Sequence, residues 1–255
     1  MKTKLPLEKS TNRSSVSETG HYKNVTNLNA LKVFAEGLGS DYAPQKVILT
    51  LSELTALVTE ATNLHDDVRN QINSTALAVD QRQLVYENVK PLSTKVINTM
   101  GSTNVLAKTI EDAKSINAKI QGTRIKMKAK SDNPEEQTPG NSVSRQSYDS
   151  IYENFKSLNN LVQQDGNYIP TETDVNIAGL TAKETAMFTA NQDIASQTNN
   201  LSNKRIVRNN RFYVGDESLI AVARGVKKYI RGKYGVTSPQ FAQIRSLLFK
   251  DLGIK

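Results

Sequence analysis

The sequence predicts an all-α fold: an elongated helical bundle with two long helices, built from two sequence-related halves. Residues 45–90 form a stretch of 46 residues without Gly or Pro, and residues 174–213 form a second long stretch that only Gly179 interrupts. Apolar residues in the first stretch recur every three or four positions, as on one face of a helix. The two halves also match each other at a constant offset of 126 residues. Together these observations predict the fold class.

Two polar segments divide the 255-residue chain. Residues 1–20 have few apolar side chains, and we expect them to form a disordered tail. Residues 131–146 contain two Pro, one Gly and mostly polar side chains, which is typical of a linker. Residues 21–130 are therefore predicted as helical repeat 1, and residues 147–255 as helical repeat 2 with basic C-terminal helices. The sequence leaves open whether the repeats pack as one bundle or form two.

The first half is dominated by a helix predicted over 45–90, whose apolar seam resembles the heptads of a coiled coil. Pro91 stops or kinks this helix, and a short helix follows over 91–100. Another helix is predicted over 103–130. The seam of the long helix consists of Val47, Leu51, Leu54, Val58, Ala61, His65, Val68, Ile72, Thr75, Val79, Arg82 and Tyr86.

The second half has matching start and stop signals. Gly215 breaks the long helix, and Asp216 is the predicted N-cap of the next one. Ser238 followed by Pro239 is a typical cap and first helical residue for the last helix. The predicted helices cover 148–164, 174–213, a segment from Asp216 to about Gly235, and 239–250.

An internal duplication explains the similar order of elements in the two halves. Over positions 22–82, eleven residues are identical to those 126 positions later. The repeated unit is predicted as a short helix, a Tyr-x-Pro turn, a very long helix and a short amphipathic helix. The identical pairs are Tyr22/Tyr148, Tyr42/Tyr168, Pro44/Pro170, Leu54/Leu180, Thr55/Thr181, Ala56/Ala182, Thr59/Thr185, Asp67/Asp193, Gln71/Gln197, Asn73/Asn199 and Arg82/Arg208.

Three segments carry a resemblance to a known group: SYDSIYENF at 147–155, GNYIP at 166–170 and VKKYIRGKYGVTSPQF at 226–241. On these residues the chain resembles a group of uncharacterised, duplicated helical proteins of Bacteroidota. The resemblance implies a duplicated helical build over most of residues 22–245. It implies no activity and carries over no functional residue.

Several kinds of chemistry are excluded by composition. The chain has no Cys, so it has no disulfide, thiolate metal site or Cys nucleophile, and it has only two His. His65, Asp66 and Asp67 are adjacent on a helix, so their side chains diverge by about 100° per residue and do not converge on one ion. No phosphate-binding loop, dinucleotide fingerprint or nucleophile elbow is present. We therefore expect no enzyme activity, no cofactor, no metal site and no small-molecule substrate.

The positive charge is concentrated near the C-terminus. The net charge is +8, of which residues 204–250 carry +9 and the rest of the chain −1. On a helical wheel of residues 217–231, one face is apolar and another is basic. The candidate anion or nucleic-acid contacts are Arg205, Arg208, Arg211, Arg224, Lys227, Lys228, Arg231 and Lys233.

Three interpretations of this basic segment remain open. It could neutralise nucleic-acid phosphates, lie on an anionic membrane surface, or be the solvated outer face of a docked helix. The membrane interpretation lacks an apolar insertion segment, so we do not expect a membrane partner.

The sequence favours a non-catalytic structural or assembly protein that acts through long-helix surfaces, with protein partners or self-association. The alternative is binding of an anionic polymer, most simply nucleic acid, through residues 204–250. No secretory signal and no run of about 18 apolar residues is seen, so a cytoplasmic location is expected.

Overall fold

The computed structural model describes residues 18–123 and 146–253, and within these ranges it is all-helical. The long helices α2 and α6 both have 37 residues. Short 3-10 turns lie at Gly39–Asp41 and Val47–Leu49, ahead of α2. The helices are α1 (Thr19–Gly37), α2 (Leu51–Glu87), α3 (Val89–Gly101), α4 (Ala107–Gln121), α5 (Tyr148–Gln164), α6 (Ile177–Tyr213), α7 (Leu219–Tyr234) and α8 (Pro239–Arg245).

The chain divides into two compact units, which we name by their place in the sequence. The terminal unit combines the described residues of Met1–Gln71 and Leu201–Lys255, and the central unit is Ile72–Asn200. Helices α2 and α6 each contribute residues to both units. The units therefore do not coincide with the predicted repeats. Each unit joins the first part of one repeat to the last part of the other.

The terminal unit has its core between α1, the start of α2, the end of α6, and α7. Leu28 and Leu31 of α1 are fully buried in it. They lie three residues apart, so both point to one face of the helix. The remaining buried contacts include Leu54, Ala61, Phe212, Leu219, Val222, Val226 and Ile230.

The central unit is built from the end of α2, the start of α6, and α3 to α5. Phe155, Leu158 and Val162 place one face of α5 against α3 and α4. Their spacing of three and four residues is the helical pattern that predicted α5, whose bounds agree with the prediction.

Each long helix is preceded by a tyrosine that closes the turn before it. The Tyr42 hydroxyl donates to the carbonyl of Leu49 (2.6 Å), and the Tyr168 hydroxyl donates to the carbonyl of Val175 (2.7 Å). Both tyrosines are buried, and each bond spans seven residues. A buried hydroxyl needs such a partner, so the bond fixes the turn.

Some predicted helix ends are confirmed and others are wrong. Ser238 caps α8 as predicted, accepting from the Phe241 N–H (3.1 Å), with Pro239 as the first helical residue. The cap of α7 is Ser218 rather than Asp216, because the Ser218 hydroxyl accepts from the Ala221 N–H (3.3 Å). The last helix ends at Arg245 instead of 250, and α2 starts at 51 instead of 45.

Several predictions concern residues whose placement the structure does not describe. The predicted tail lies outside the described residues up to position 17, as do the predicted linker up to 145 and the predicted helix end at 124–130. The last tail residues are described, and they do not match the prediction. Glu18 lies in a turn that leads into α1, and Thr19 and Gly20 are helical.

Gly179 does not interrupt α6, contrary to the prediction. It lies in the first turn of the helix, where an added Cβ would come within 1.9 Å of the Thr173 carbonyl oxygen. A residue without a side chain is therefore required for the preceding loop to pass this close to the helix.

Candidate functional site

Four of the eight candidate cations form ion pairs inside the terminal unit. Arg211 Nε lies 2.8 Å from the Glu60 carboxylate, and Lys233 Nζ lies 3.4 Å from the carboxylate of Asp41. Arg205 pairs with Glu18 (3.0 Å), which is also the partner of Arg208. Each of these four cations therefore has a carboxylate partner within the protein, and two of them share Glu18.

Arg208 is the most deeply buried member of the set. Its side chain is only 2% exposed and pairs with the carboxylate of Glu18. Its Nη2 also donates to His21 Nε2 (3.1 Å) and to the side-chain oxygen of Asn209 (2.9 Å). Arg208 therefore serves as an internal structural cation, and no surface contact is open to it here.

The same network sets the charge state of His21. Its Nδ1 lies 2.7 Å from the Tyr213 hydroxyl, while its Nε2 accepts from Arg208. An imidazolium has no acceptor nitrogen, so this arrangement requires the neutral ring. Burial and the nearby Arg208 charge lower the pKa of His21 to about 4. Burial raises the pKa of Glu18, but Arg208 and Arg205 outweigh it and leave that pKa below its usual value.

The other four candidates lie together on α7. Arg224, Lys227, Lys228 and Arg231 are spaced so that they share one stripe of the helix. The opposite face is buried in the core of the terminal unit through Val222, Val226 and Ile230. Packing of the apolar face thus turns the basic stripe outward.

This stripe forms one wall of an open cavity of about 440 Å³. The other walls come from α8 and the segment that follows it. The lining contains no acidic side chain. It consists of Arg224, Lys227, Lys228, Arg231, Phe241, Leu247, Leu248 and Phe249, and we call it the α7–α8 pocket.

Lys227 has a different role from its neighbours. Its Nζ donates to the carbonyl of Arg245 (3.2 Å), the last residue of α8, and to that of Leu247 (3.0 Å), two residues further on. A lysine at this position satisfies carbonyls that have no partner within the helix. Burial lowers the pKa of Lys227. Arg224, Lys228 and Arg231 are exposed and form no ion pair within the described part of the chain.

Two buried asparagines hold the far wall of the α7–α8 pocket, and the sequence analysis missed both. Asn24 donates to the Lys250 carbonyl (2.8 Å) and accepts from the Lys250 N–H (3.1 Å). Asn27 donates to the carbonyl of Leu248 (2.7 Å). These bonds attach the non-helical segment after α8 to α1. In the sequence, the only indication of this role is that Asn24 and Asn27 interrupt the apolar pattern of α1.

The structure places the ring of His65 against another aromatic ring. His65 is buried and its ring stacks on Tyr22, with the centroids 5.1 Å apart. Among residues 18–123 and 146–253, no three His, Asp or Glu side chains are grouped to hold a metal ion. In the same ranges, no helix is both long enough and apolar enough to cross a membrane.

The chain matches no protein-family model, no curated protein and no solved structure.

Proposed function

We propose that the protein is a non-catalytic binding protein that contacts nucleic acid through Arg224, Lys228 and Arg231. The observation that supports this is the division of the basic residues into two groups. Arg205, Arg208, Arg211 and Lys233 are paired within the protein, whereas these three are exposed beside a cavity without acidic residues. We therefore leave the paired residues out of the proposed surface.

The stripe has a suitable length for a phosphate backbone. Residues 224 and 231 are seven positions apart on α7, which corresponds to about 10 Å along the helix. Cations at this spacing can each neutralise a phosphate and release bound counterions. With three such contacts, affinity is expected to fall roughly 20- to 40-fold between 50 and 200 mM salt.

The test is fluorescence anisotropy with labelled DNA and RNA at 50 and 200 mM salt. The variant R224Q/K228Q/R231Q should bind at least ten times more weakly and lose most of the salt dependence. Lys227 is left unchanged because its replacement would also release the end of α8.

A control with the same change in net charge separates a local surface from overall charge. The exposed Lys23, Lys108 and Lys114 lie outside the α7–α8 pocket. The variant K23Q/K108Q/K114Q should keep its affinity. Equal losses in both variants, or no binding at 50 mM salt, would contradict the proposal.

A structural or assembly role is the second candidate, and two exposed leucines favour it. Leu77 and Leu84 lie one heptad apart on α2 and are 63% and 60% exposed. Such a pair can pack against a helix of another protein or of a second copy. Sedimentation velocity of L77Q/L84Q tests this role, because loss of a wild-type oligomer would support it.

We also propose that the two halves arose by duplication, as in the group of Bacteroidota proteins that the sequence resembles. The equal lengths of α2 and α6 and the two matching tyrosine bonds support this history. A cytoplasmic location, where nucleic acid is accessible, is part of the same proposal.

A further inference from the structure

We propose that the α7–α8 pocket receives an unstacked base of a single-stranded nucleic acid, while Arg224, Lys228 and Arg231 hold the adjoining phosphates. This inference rests on the proposed function and narrows it from nucleic acid in general to single strands.

The composition of the pocket supports a partner with both charge and apolar surface. Four of its eight lining side chains are cationic and four are apolar, including the rings of Phe241 and Phe249. A duplex presents phosphates but keeps the faces of its bases stacked inside. A single strand exposes both, and aromatic side chains bind its bases by stacking.

The size of the cavity also suits a base. At about 440 Å³ it lies within the range of small-molecule sites, roughly 300–1,000 Å³. It is open on one side, so a strand can enter without threading.

The walls of the pocket are held in place without a ligand. Lys227 fixes the end of α8, Ser238 fixes its start, and Asn24 and Asn27 fix the segment that carries Leu248 and Phe249. A site that is already ordered loses less conformational entropy on binding, which favours affinity.

The first experiment compares a labelled oligothymidine with a duplex of equal length at 50 mM salt. The single strand should bind at least ten times more tightly than the duplex. F241L and F249L keep an apolar side chain but remove the ring. Each should weaken single-strand binding roughly 5- to 100-fold, the loss expected for one stacking partner, and leave duplex binding unchanged.

F188L is the control for loss of an aromatic ring elsewhere. Phe188 lies in the central unit and is 47% exposed, so it offers an accessible ring outside the pocket. F188L should bind like the wild type. Circular dichroism and thermal unfolding of each variant separate a lost contact from a lost fold.

A second measurement uses the unaltered protein. Ultraviolet cross-linking of a 5-iodouracil oligonucleotide, followed by mass spectrometry, should identify peptides within residues 219–234 or 239–253, which form the walls of the pocket. Cross-links confined to other segments would overturn the inference even if the phenylalanine variants were unstable.

The outcomes distinguish the two proposals. If R224Q/K228Q/R231Q loses binding but single strands and duplexes bind equally, the inference fails and the proposed function stands. If neither nucleic acid binds, both fail. Binding only to vesicles of phosphatidylserine and phosphatidylcholine would also overturn both and would assign the surface to anionic membranes.

Discussion

Arg82 and Arg208 occupy positions 126 residues apart near the ends of the two long helices, but their environments differ. Arg208, in the terminal unit, is buried against Glu18 and His21. Arg82, in the central unit, is half-buried and lies over the ring of Tyr148, with 4.0 Å from the guanidinium carbon to the ring centroid. One guanidinium is held by an anion and the other by an aromatic face.

The difference follows from the residue before the facing helix. Glu18 lies immediately before α1, whereas the residue immediately before α5 is Ser147, which carries no charge. A buried guanidinium needs an opposite charge, but a half-exposed one does not. The comparison shows that two arginines at matching positions of equally long helices can differ in burial because their partners differ.

Removing the carboxylate at Glu18 should have the largest effect on stability. In E18Q the buried Arg208 charge loses its partner, and we expect the free energy of unfolding to fall by about 3 kcal/mol. R82Q removes only a cation–π contact and should cost about 1 kcal/mol. Urea unfolding of both variants measures the two losses in the free energy of unfolding. Equal losses would contradict the different roles assigned here to Glu18 and Arg82.

The second-largest effect is expected from a drop in pH, which should lower the stability of the terminal unit. The pKa of His21 is about 4 in the folded protein against an ordinary value of 6.5, so between these values only the unfolded chain binds the proton. The contribution of His21 to the free energy of unfolding is therefore fully present above about pH 6.5, and it is lost as the pH drops toward 4. The lowered pKa of Glu18 adds a further loss below about pH 4.5.

Thermal unfolding at pH 7 and pH 5 measures this effect, and H21Q should reduce the difference. His65 has a lowered pKa because of burial, so some dependence remains until H21Q/H65Q removes both histidines of the chain. If the pH dependence of thermal stability were unchanged in the double variant, other titratable groups would be its cause.

The smallest effect is expected from removing the tyrosine hydrogen bond that occurs in both units. Y42F and Y168F each remove one buried hydrogen bond to a backbone carbonyl and should each cost about 1 kcal/mol. Nearly equal losses in urea unfolding would sharpen the comparison by showing that the two turns are equivalent in energy as well as in geometry. A difference of more than about twofold would argue against that equivalence.

Local patterns in the sequence predicted much of the fold. The all-α class and the bounds of α5 follow from apolar periodicity. The structure adds that the Ser147 hydroxyl caps α5 by accepting from the Ser150 N–H (3.2 Å). The cap of α7 was assigned to Asp216 because Asp216 follows a Gly, although Ser218 is an equally good cap. A single sequence does not rank two such candidates two residues apart.

Contacts over long sequence distances could not be predicted. Glu18 was assigned to a tail because its neighbours in the sequence are polar, and its partner Arg208 lies 190 residues later. For the same reason the basic residues formed a single group in the sequence, and only the structure separates the internally paired ones from those at the α7–α8 pocket. The duplication signal placed Arg82 and Arg208 at matching positions but contained no information on their partners.

The hydrogen bond from Asn24 to the Lys250 carbonyl joins residues 226 positions apart, and this has a consequence for the order of folding during synthesis. All residues of the central unit are available once position 200 has been translated. The terminal unit cannot fold until α7 and α8 have been translated. At about 5–20 residues per second, Leu28 and Leu31 emerge from the ribosome roughly 10 to 40 s before the helices that cover them. The newly made α1 therefore exposes apolar surface for much of translation, and this interval is when the growing chain is most open to aggregation or to capture by a chaperone.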